Sequence, residues 1–306
     1  MSATVQDQWS KWLLGTRFGG DAKAAEEGMR LLRAVRDRVL HRAKLGPGMT
    51  LLDVGAGDGL IAFGALDRVG ETGHVIFSDI SKPLLDHDRD LAGRLGALDR
   101  CSFVEASAAD LRAIPDASID VVTTRSVLIY VPGKIAAFRE FHRVLKPGGR
   151  VSLFEPINRY AAVADRASGW GGPRVEPVRD LAERIGDYYR ALQPLDADPM
   201  MDFDERDLVR LCEEAGFNRV QLELRIDIDT ALPRSWEAMI NAPGNPRIPP
   251  MAQAMREIFS PEEAARFEKH LRPLVEAGGM TQRNAVAFLC ATKDGGPPRV
   301  TENGDG

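Results

Sequence analysis

The side chains best suited to chemistry gather at the ends of short apolar runs. Leu51-Leu52-Asp53-Val54-Gly55-Ala56-Gly57-Asp58-Gly59 is one such run, passing straight into a glycine-rich turn. Glycines there permit positive φ and let a ligand approach the backbone with no Cβ in the way, and a helix opening behind them offers unpaired N–H groups to a nucleotide-like ligand. A dinucleotide fingerprint needs its third glycine at position 60, where Leu60 stands, so the spacing is D-x-G-x-G-x-G. Asp79 closes the run from His74, where a carboxylate is placed either to accept from both hydroxyls of a ribose or to cap the next helix. Arg125 follows the run Ile119 to Thr124 in an apolar neighbourhood, and a buried cation there needs an anion, from a ligand carboxylate or from a protein acid. Glu155, at the end of the run from Arg150, and Tyr130, after the 119–124 run, are candidate general bases, with Tyr160 just beyond. Each also has a plainer reading: Glu155 as a cap or the partner of Arg159, the tyrosines as walls of a pocket.

The elements that must position these groups are legible from periodicity. Residues 50–55, 74–79, 102–106, 119–124 and 150–155 are β-branched-rich apolar runs and read as buried strands; 60–69, 83–95 and 134–145 between them fit helices. Such alternation implies right-handed βαβ crossovers and a parallel sheet covered on both faces, an α/β fold. The segment Ala25 to Ala43 is an amphipathic helix with a cationic solvent face. Farther on, 203–217 predicts a helix opened by Asp204 with Asp207 three residues later, and Val220, Leu222, Leu224, Ile226 and Ile228 alternate with polar residues as in a strand with one wet face. A last strand is expected at 284–292. The organisation that follows is an N-terminal helical segment (1–44) with Trp9, Trp12 and Phe18 as a lid or as packing, a core (45–156), a helical insertion (157–202), a core helix and strand (203–230), a second insertion (231–283), the last strand (284–293) and a disordered Gly- and Pro-rich tail (294–306). Leu181, Ile185, Tyr188 and Leu192 mark one face of a helix in the first insertion. Ser260 and Glu263 cap one in the second.

Composition narrows the partners. The chain has 306 residues, with 40 Lys and Arg against 45 Asp and Glu, and this net charge of -5 lacks the basic footprint of a dedicated nucleic-acid binder. Cys101, Cys212 and Cys290 are far apart and lie near no histidine pair, so no metal site is expected. No signal-peptide core and no run of roughly 20 apolar residues is seen, so a cytoplasmic protein without a membrane partner is expected.

The D-x-G-x-G-x-G turn after the first strand, Asp79 after the second, Asp110 after the third and His142-Arg143-Val144-Leu145-Lys146-Pro147-Gly148-Gly149 before the fifth together resemble the class I S-adenosylmethionine (SAM)-dependent methyltransferase family. The resemblance covers residues 45 to 155 by motif and extends to 292 as topology. It implies a doubly wound, mostly parallel, Rossmann-like seven-stranded sheet with its last strand antiparallel. SAM is implied as cofactor, with S-adenosylhomocysteine as product. Its residue roles carry over as follows: Asp53 near the methionine amino group, Gly55, Ala56 and Gly57 passing close to the cofactor, Ile80 packed on the adenine, Asp110 accepting from the adenine amino group and Leu111 donating its N–H. The segment around Arg125 and Ser126 would face the methionine end. Two insertions able to roof a pocket favour a small-molecule acceptor, with Tyr160, Tyr188 and Arg159 as acceptor-side candidates, and the same insertions are where a homodimer would form. Transfer of this kind rests chiefly on positioning and on excluding water. A same-fold enzyme that binds SAM without transferring methyl, such as a cyclase, and a non-catalytic SAM-binding module are the alternatives. A long connection between the last two strands departs from the short hairpin common in the family.

Overall fold

The computed structural model describes residues 7–295, and the 1–6 and 296–306 ends, which include most of the expected tail, lie outside them. Helix α1 (Gln8–Lys11) runs into a π-helical turn, Trp12–Thr16, and is followed by α2 (Ala22–Ala43). The core then alternates β1 (Thr50–Val54), α3 (Leu60–Val69), β2 (His74–Asp79), α4 (Lys82–Arg94), β3 (Cys101–Glu105), β4 (Ile119–Arg125), α5 (Ile135–Val144) and β5 (Leu145–Pro156). Next come α6 (Asn158–Ser168), α7 (Arg179–Leu192), α8 (Glu205–Glu214), β6 (Asn218–Thr230), α9 (Trp236–Asn241), α10 (Met251–Ile258), α11 (Pro261–Glu276) and β7 (Thr281–Thr292).

The described strands form one seven-stranded sheet in the order β3-β2-β1-β4-β5-β7-β6. The first five pair in parallel, and β7 is inserted antiparallel between β5 and β6, as the resemblance implied. Leu51 and Leu52 are neighbours on opposite faces of β1 and both are fully buried, because helices cover both sides of a parallel sheet. One face packs Phe138, Phe141, Leu208 and Leu211 from α5 and α8. The other packs Val39 and Leu40 from α2 and Ile61 and Ala65 from α3.

Reciprocal side-chain caps fix the starts of α8 and α11. Asp204 and Asp207 form the reciprocal capping box of α8, and Ser260 and Glu263 form that of α11 behind Pro261. Three local expectations shift. Strand β7 starts at Thr281, ahead of 284, because its pairing with β6 continues to Thr230. Strand β5 takes in the Lys146–Gly149 turn through a register shift opposite β4. On β6 the alternating apolar face is covered only at its start, where Val220 and Leu222 join the core, while Leu224, Ile226 and Ile228 are 36%, 43% and 61% exposed. Alternation reports which residues share a face, and whether another element covers that face is a tertiary matter.

The two insertions do not form separate caps. Val178, Leu181 and Ile185 of the first pack with Trp236, Phe267 and Leu271 of the second around a shared apolar core, with Trp236 at its centre 1% exposed. Leu192, expected on that face, is 46% exposed because α7 ends there. Trp236→Ala should lower stability by about 3 to 5 kcal/mol by opening a cavity at this junction, measured by denaturant unfolding; a loss under about 1 kcal/mol would show that the cap core does not depend on this ring.

Candidate active site

A cavity of about 460 Å³ opens at the carboxyl ends of the parallel strands, where open α/β sheets bind ligands. Its floor is the glycine turn. Gly55 and Gly57 have φ of 67° and 63°, and a Cβ on Gly55 would lie 2.3 Å from a methyl carbon of Val127, so the turn after β1 and the segment after β4 touch in a way only glycine allows.

Three buried carboxylates set the surrounding backbone. Asp53, at the end of β1, accepts from the Thr123 hydroxyl at 2.8 Å and from the Ala62 N–H at 3.1 Å, tying β1 to β4 and to the first turn of α3. Asp79, at the end of β2, accepts from the N–H groups of Gly57 and Ser81, both at 2.9 Å. Glu155, on β5, is 0% exposed and accepts from the N–H groups of Val127 and Leu128 at 3.0 Å and of Ile129 at 3.3 Å. Burial raises all three above the ordinary carboxylate range, Asp53 and Glu155 to about 7, against the opposing pull of these hydrogen bonds.

Among the expected cofactor residues, Gly55, Gly57, Asp79, Ile80, Arg125 and Ser126 line the cavity. Ile80 is 54% exposed, an apolar side chain left open to the cavity mouth. Ala56 is buried beneath the turn, and Asp53 lies behind it, its oxygens already engaged. The expectation for Asp110 and Leu111 does not match the geometry: Asp110 is exposed and paired with Arg112 at 2.8 Å, and the Leu111 N–H donates to Glu140 at 2.7 Å. The wall after β3 is instead made by Ala106, Ser107, Ala108 and Ala109.

The candidates for catalysis and acceptor binding divide similarly. Tyr130 lines the cavity, and burial together with the Glu155 charge raises its phenol, which stays protonated. Glu155 does not line it, and its carboxylate accepts from three backbone donors away from the cavity, which fits a clamp. Arg159 turns away to Asp196 at 3.0 Å and to the Leu195 and Met201 carbonyls. Tyr160 packs into the main core, and Tyr188 donates to Glu257 at 2.7 Å on the cap, so neither reaches the cavity. From the insertions, Asn158, Met200 and Gly244 do.

The N-terminal segment lines one side of the cavity through Trp9, Trp12, Leu13 and Arg17. Trp9 meets Tyr130 edge to face with ring centroids 4.7 Å apart, and the Trp12 indole N–H donates to the Pro243 carbonyl of the second insertion at 3.1 Å. Phe18 instead packs against Gly28 of α2. Arg17, which composition and periodicity did not single out, lines the cavity 3.6 Å from Asp58. Burial and the neighbouring Arg125 push its guanidinium down to about 10, and one of its nitrogens has no hydrogen-bond partner. Arg125 makes no hydrogen bond or ion pair among the described residues. Its one sequence signal was a cation in an apolar run; Arg17 had only its place between Trp12 and Phe18.

Under the turn, Asp88 of α4 is fully buried with both carboxylate oxygens unpartnered, one of them 3.0 Å from where a Cβ at Gly59 would stand. Burial, and then the charges of Asp58, Asp79 and Asp53, raise it to about 9.

Residues 52–153 match the family model described as a methyltransferase domain. The chain is 33% identical over 193 residues to the ubiquinone/menaquinone biosynthesis C-methyltransferase UbiE of Brucella anthropi, spanning 62% of this chain and 72% of that protein. In fold it is similar to the YcgJ protein of Bacillus subtilis, with a TM-score of 0.52 at 17% identity over 85% of this chain and 98% of that one. It is also similar to a geranyl diphosphate methyltransferase in complex with SAM, with a TM-score of 0.51 at 18% identity over 90% and 92% of the two chains.

Two outcomes check the carboxylate assignments. Asp88 binds a proton in the folded state up to about pH 9 but only below its ordinary value of 3.8 when unfolded, so its contribution is full at low pH and is lost as pH rises through 9. Asp88→Asn should flatten that decline and raise stability at alkaline pH by about 1 to 3 kcal/mol, read from melts across pH; an identical pH profile would remove Asp88 as its source. If Glu155 is a clamp, Glu155→Gln lowers melting temperature and S-adenosylhomocysteine affinity together. A loss of turnover alone, with both of these intact, would restore it as a base.

Proposed function

Because the chain belongs to the class I SAM-dependent methyltransferase family, we propose that it transfers the methyl group of SAM to a small, largely apolar acceptor, an electron-rich carbon of which attacks the methyl in line and displaces S-adenosylhomocysteine. The observation that carries this is the charge balance of the cavity. Two arginines face it, Arg17 with Asp58 as its acid partner and Arg125 with no acid partner among the described residues, while Asp79 is the one carboxylate among the described lining residues. Aromatic and aliphatic side chains, including Trp9, Trp12, Leu13, Phe154 and Met200, supply most of the remainder.

The donor set fits SAM. The glycine turn leaves backbone free of Cβ atoms, Asp79 suits ribose hydroxyls, Ile80 and Leu84 suit the adenine face, and Arg125 with its unpaired guanidinium suits the methionine carboxylate. When bound, SAM supplies a sulfonium methyl that is already strongly electrophilic. The protein's own part is then to hold and dry the acceptor. The Trp9 and Trp12 strap excludes water, and the neutral Tyr130 phenol donates to an acceptor oxygen. Arg17 stabilises negative charge on that oxygen, which raises electron density at the attacking carbon. An acceptor that enters as its oxyanion forms the new C–C bond as the S–CH3 bond breaks, and the proton of the methylated ring carbon then passes from the dienone to solvent, so no strong general base is needed, in agreement with Glu155 being spent on backbone donors. The Brucella relative's name, a C-methyltransferase of ubiquinone and menaquinone biosynthesis, supports both the carbon nucleophile and the apolar acceptor. Membership of the family favours transfer over a binding-only or cyclising role.

Asp79→Ala should weaken S-adenosylhomocysteine binding by about 10- to 100-fold in calorimetric titration, the loss expected for charge-assisted hydrogen bonds. Arg125→Met should weaken SAM and S-adenosylhomocysteine alike, whereas Arg17→Met should leave both nearly unchanged and raise the acceptor KM. Incubation with methyl-labelled SAM and a panel of alkyl-substituted hydroquinones should give ring-methylated product by NMR. Label found only on oxygen or nitrogen would overturn the carbon assignment, and unchanged affinity in a folded Asp79→Ala protein would overturn the cofactor site.

A further inference from the structure

Strand β6 ends the sheet and is 13 residues long, so one side of its backbone has no strand to pair with among the described residues. Leu224, Ile226 and Ile228 stand on one face of its distal half, 36%, 43% and 61% exposed, beyond the part that joins the core through Val220 and Leu222. A long edge strand with an apolar face is a template for another strand, and monomeric proteins usually blunt it with a bulge, a proline or a charge aimed along that face. From Leu222 to Thr230 the register with β7 is unbroken, and no proline interrupts it.

We propose that β6 pairs antiparallel with β6 of a second copy of this chain, about a twofold axis through Ile226. The sequence is self-complementary about that residue. Antiparallel pairing there sets Ile226 against Ile226, Leu224 against Ile228, and Arg225 against Asp227 twice over, one pair on each side of the axis. The apolar face becomes a six-residue ladder across the two copies. Within one chain, Arg225 already meets Asp227 at 2.7 Å, so the exchange keeps every charge paired. Next outward, Glu223 would face Asp229 of the other copy. Arg38 and Arg42 of α2 both turn to Glu223, and their surplus positive charge receives the second acid. The two sheets would join edge to edge, with the twofold on this edge.

The full chain should run at twice its monomer mass in equilibrium sedimentation at micromolar concentration. Ile226→Lys, which sets two ammonium groups on the axis, should raise the dimer dissociation constant by about 30-fold or more while melting as a folded protein. Arg225→Asp and Asp227→Arg should each dissociate when alone. Mixed together, these two variants should form a heterodimer, because the twofold then opposes unlike charges at both positions, an outcome that a purely internal role of the pair does not produce. A monomeric wild-type chain overturns the proposal, as does a dimer that survives Ile226→Lys or single variants that do not recover on mixing.

Discussion

The candidate site depends first on one buried carboxylate. Glu155 gathers three consecutive backbone N–H groups, those of Val127, Leu128 and Ile129, and so fixes the course of the chain leaving β4. That course puts Ser126 at a φ of 56°, seats Val127 against Gly55, and leaves Arg125 and Tyr130 on the cavity wall. Burying an ionisable group is costly unless its hydrogen bonds are made, and here the donors belong to the segment that shapes the pocket.

Asp53 and Asp79 repeat the device on β1 and β2. Each stands at the carboxyl end of a parallel strand and is held by backbone or hydroxyl donors, Asp53 from β4 and α3 and Asp79 from the turns after β1 and β2. Of the three, only Asp79 also lines the cavity. An acid at a strand end can therefore organise backbone, bind ligand, or do both, and the number of donors already aimed at it separates these cases. The arginines show the opposite condition. Arg17 and Arg125 are brought together in a space whose walls are mostly apolar, and Arg125 has no acid partner among the described residues.

Much of this was readable from residue order. The strand and helix alternation through Pro156, the capping residues Asp204 and Ser260, and the glycine turn all depend on neighbours within a few positions, and all appear where local chemistry puts them. Gly55, Gly57, Asp79, Ile80, Arg125, Ser126 and Tyr130 reach the cavity because each lies within a few residues of a parallel strand's carboxyl end. Asp110, Leu111, Arg159, Tyr160 and Tyr188 had chemically suitable side chains. Their contacts with Arg112, Glu140, Asp196, the main core and Glu257 withdraw them from it. Arg17, Met200 and Gly244 had no comparable local signal, since they enter through the docking of segments distant in the chain.

Sequence by itself determined the α/β class, the glycine turn, the edge of the sheet at which ligands bind and the acids and arginine ranged along it. These follow from periodicity and from the conformational freedom of single residues, which are local properties of the chain. Only the tertiary structure decided which acids are spent on backbone donors, that the N-terminal segment lines the cavity, that the two insertions share one core, and that half of β6 keeps an apolar face uncovered. The physical reason is that hydrogen-bond saturation and burial are set by what packs against a residue, and in this fold the packing partners come from far along the chain.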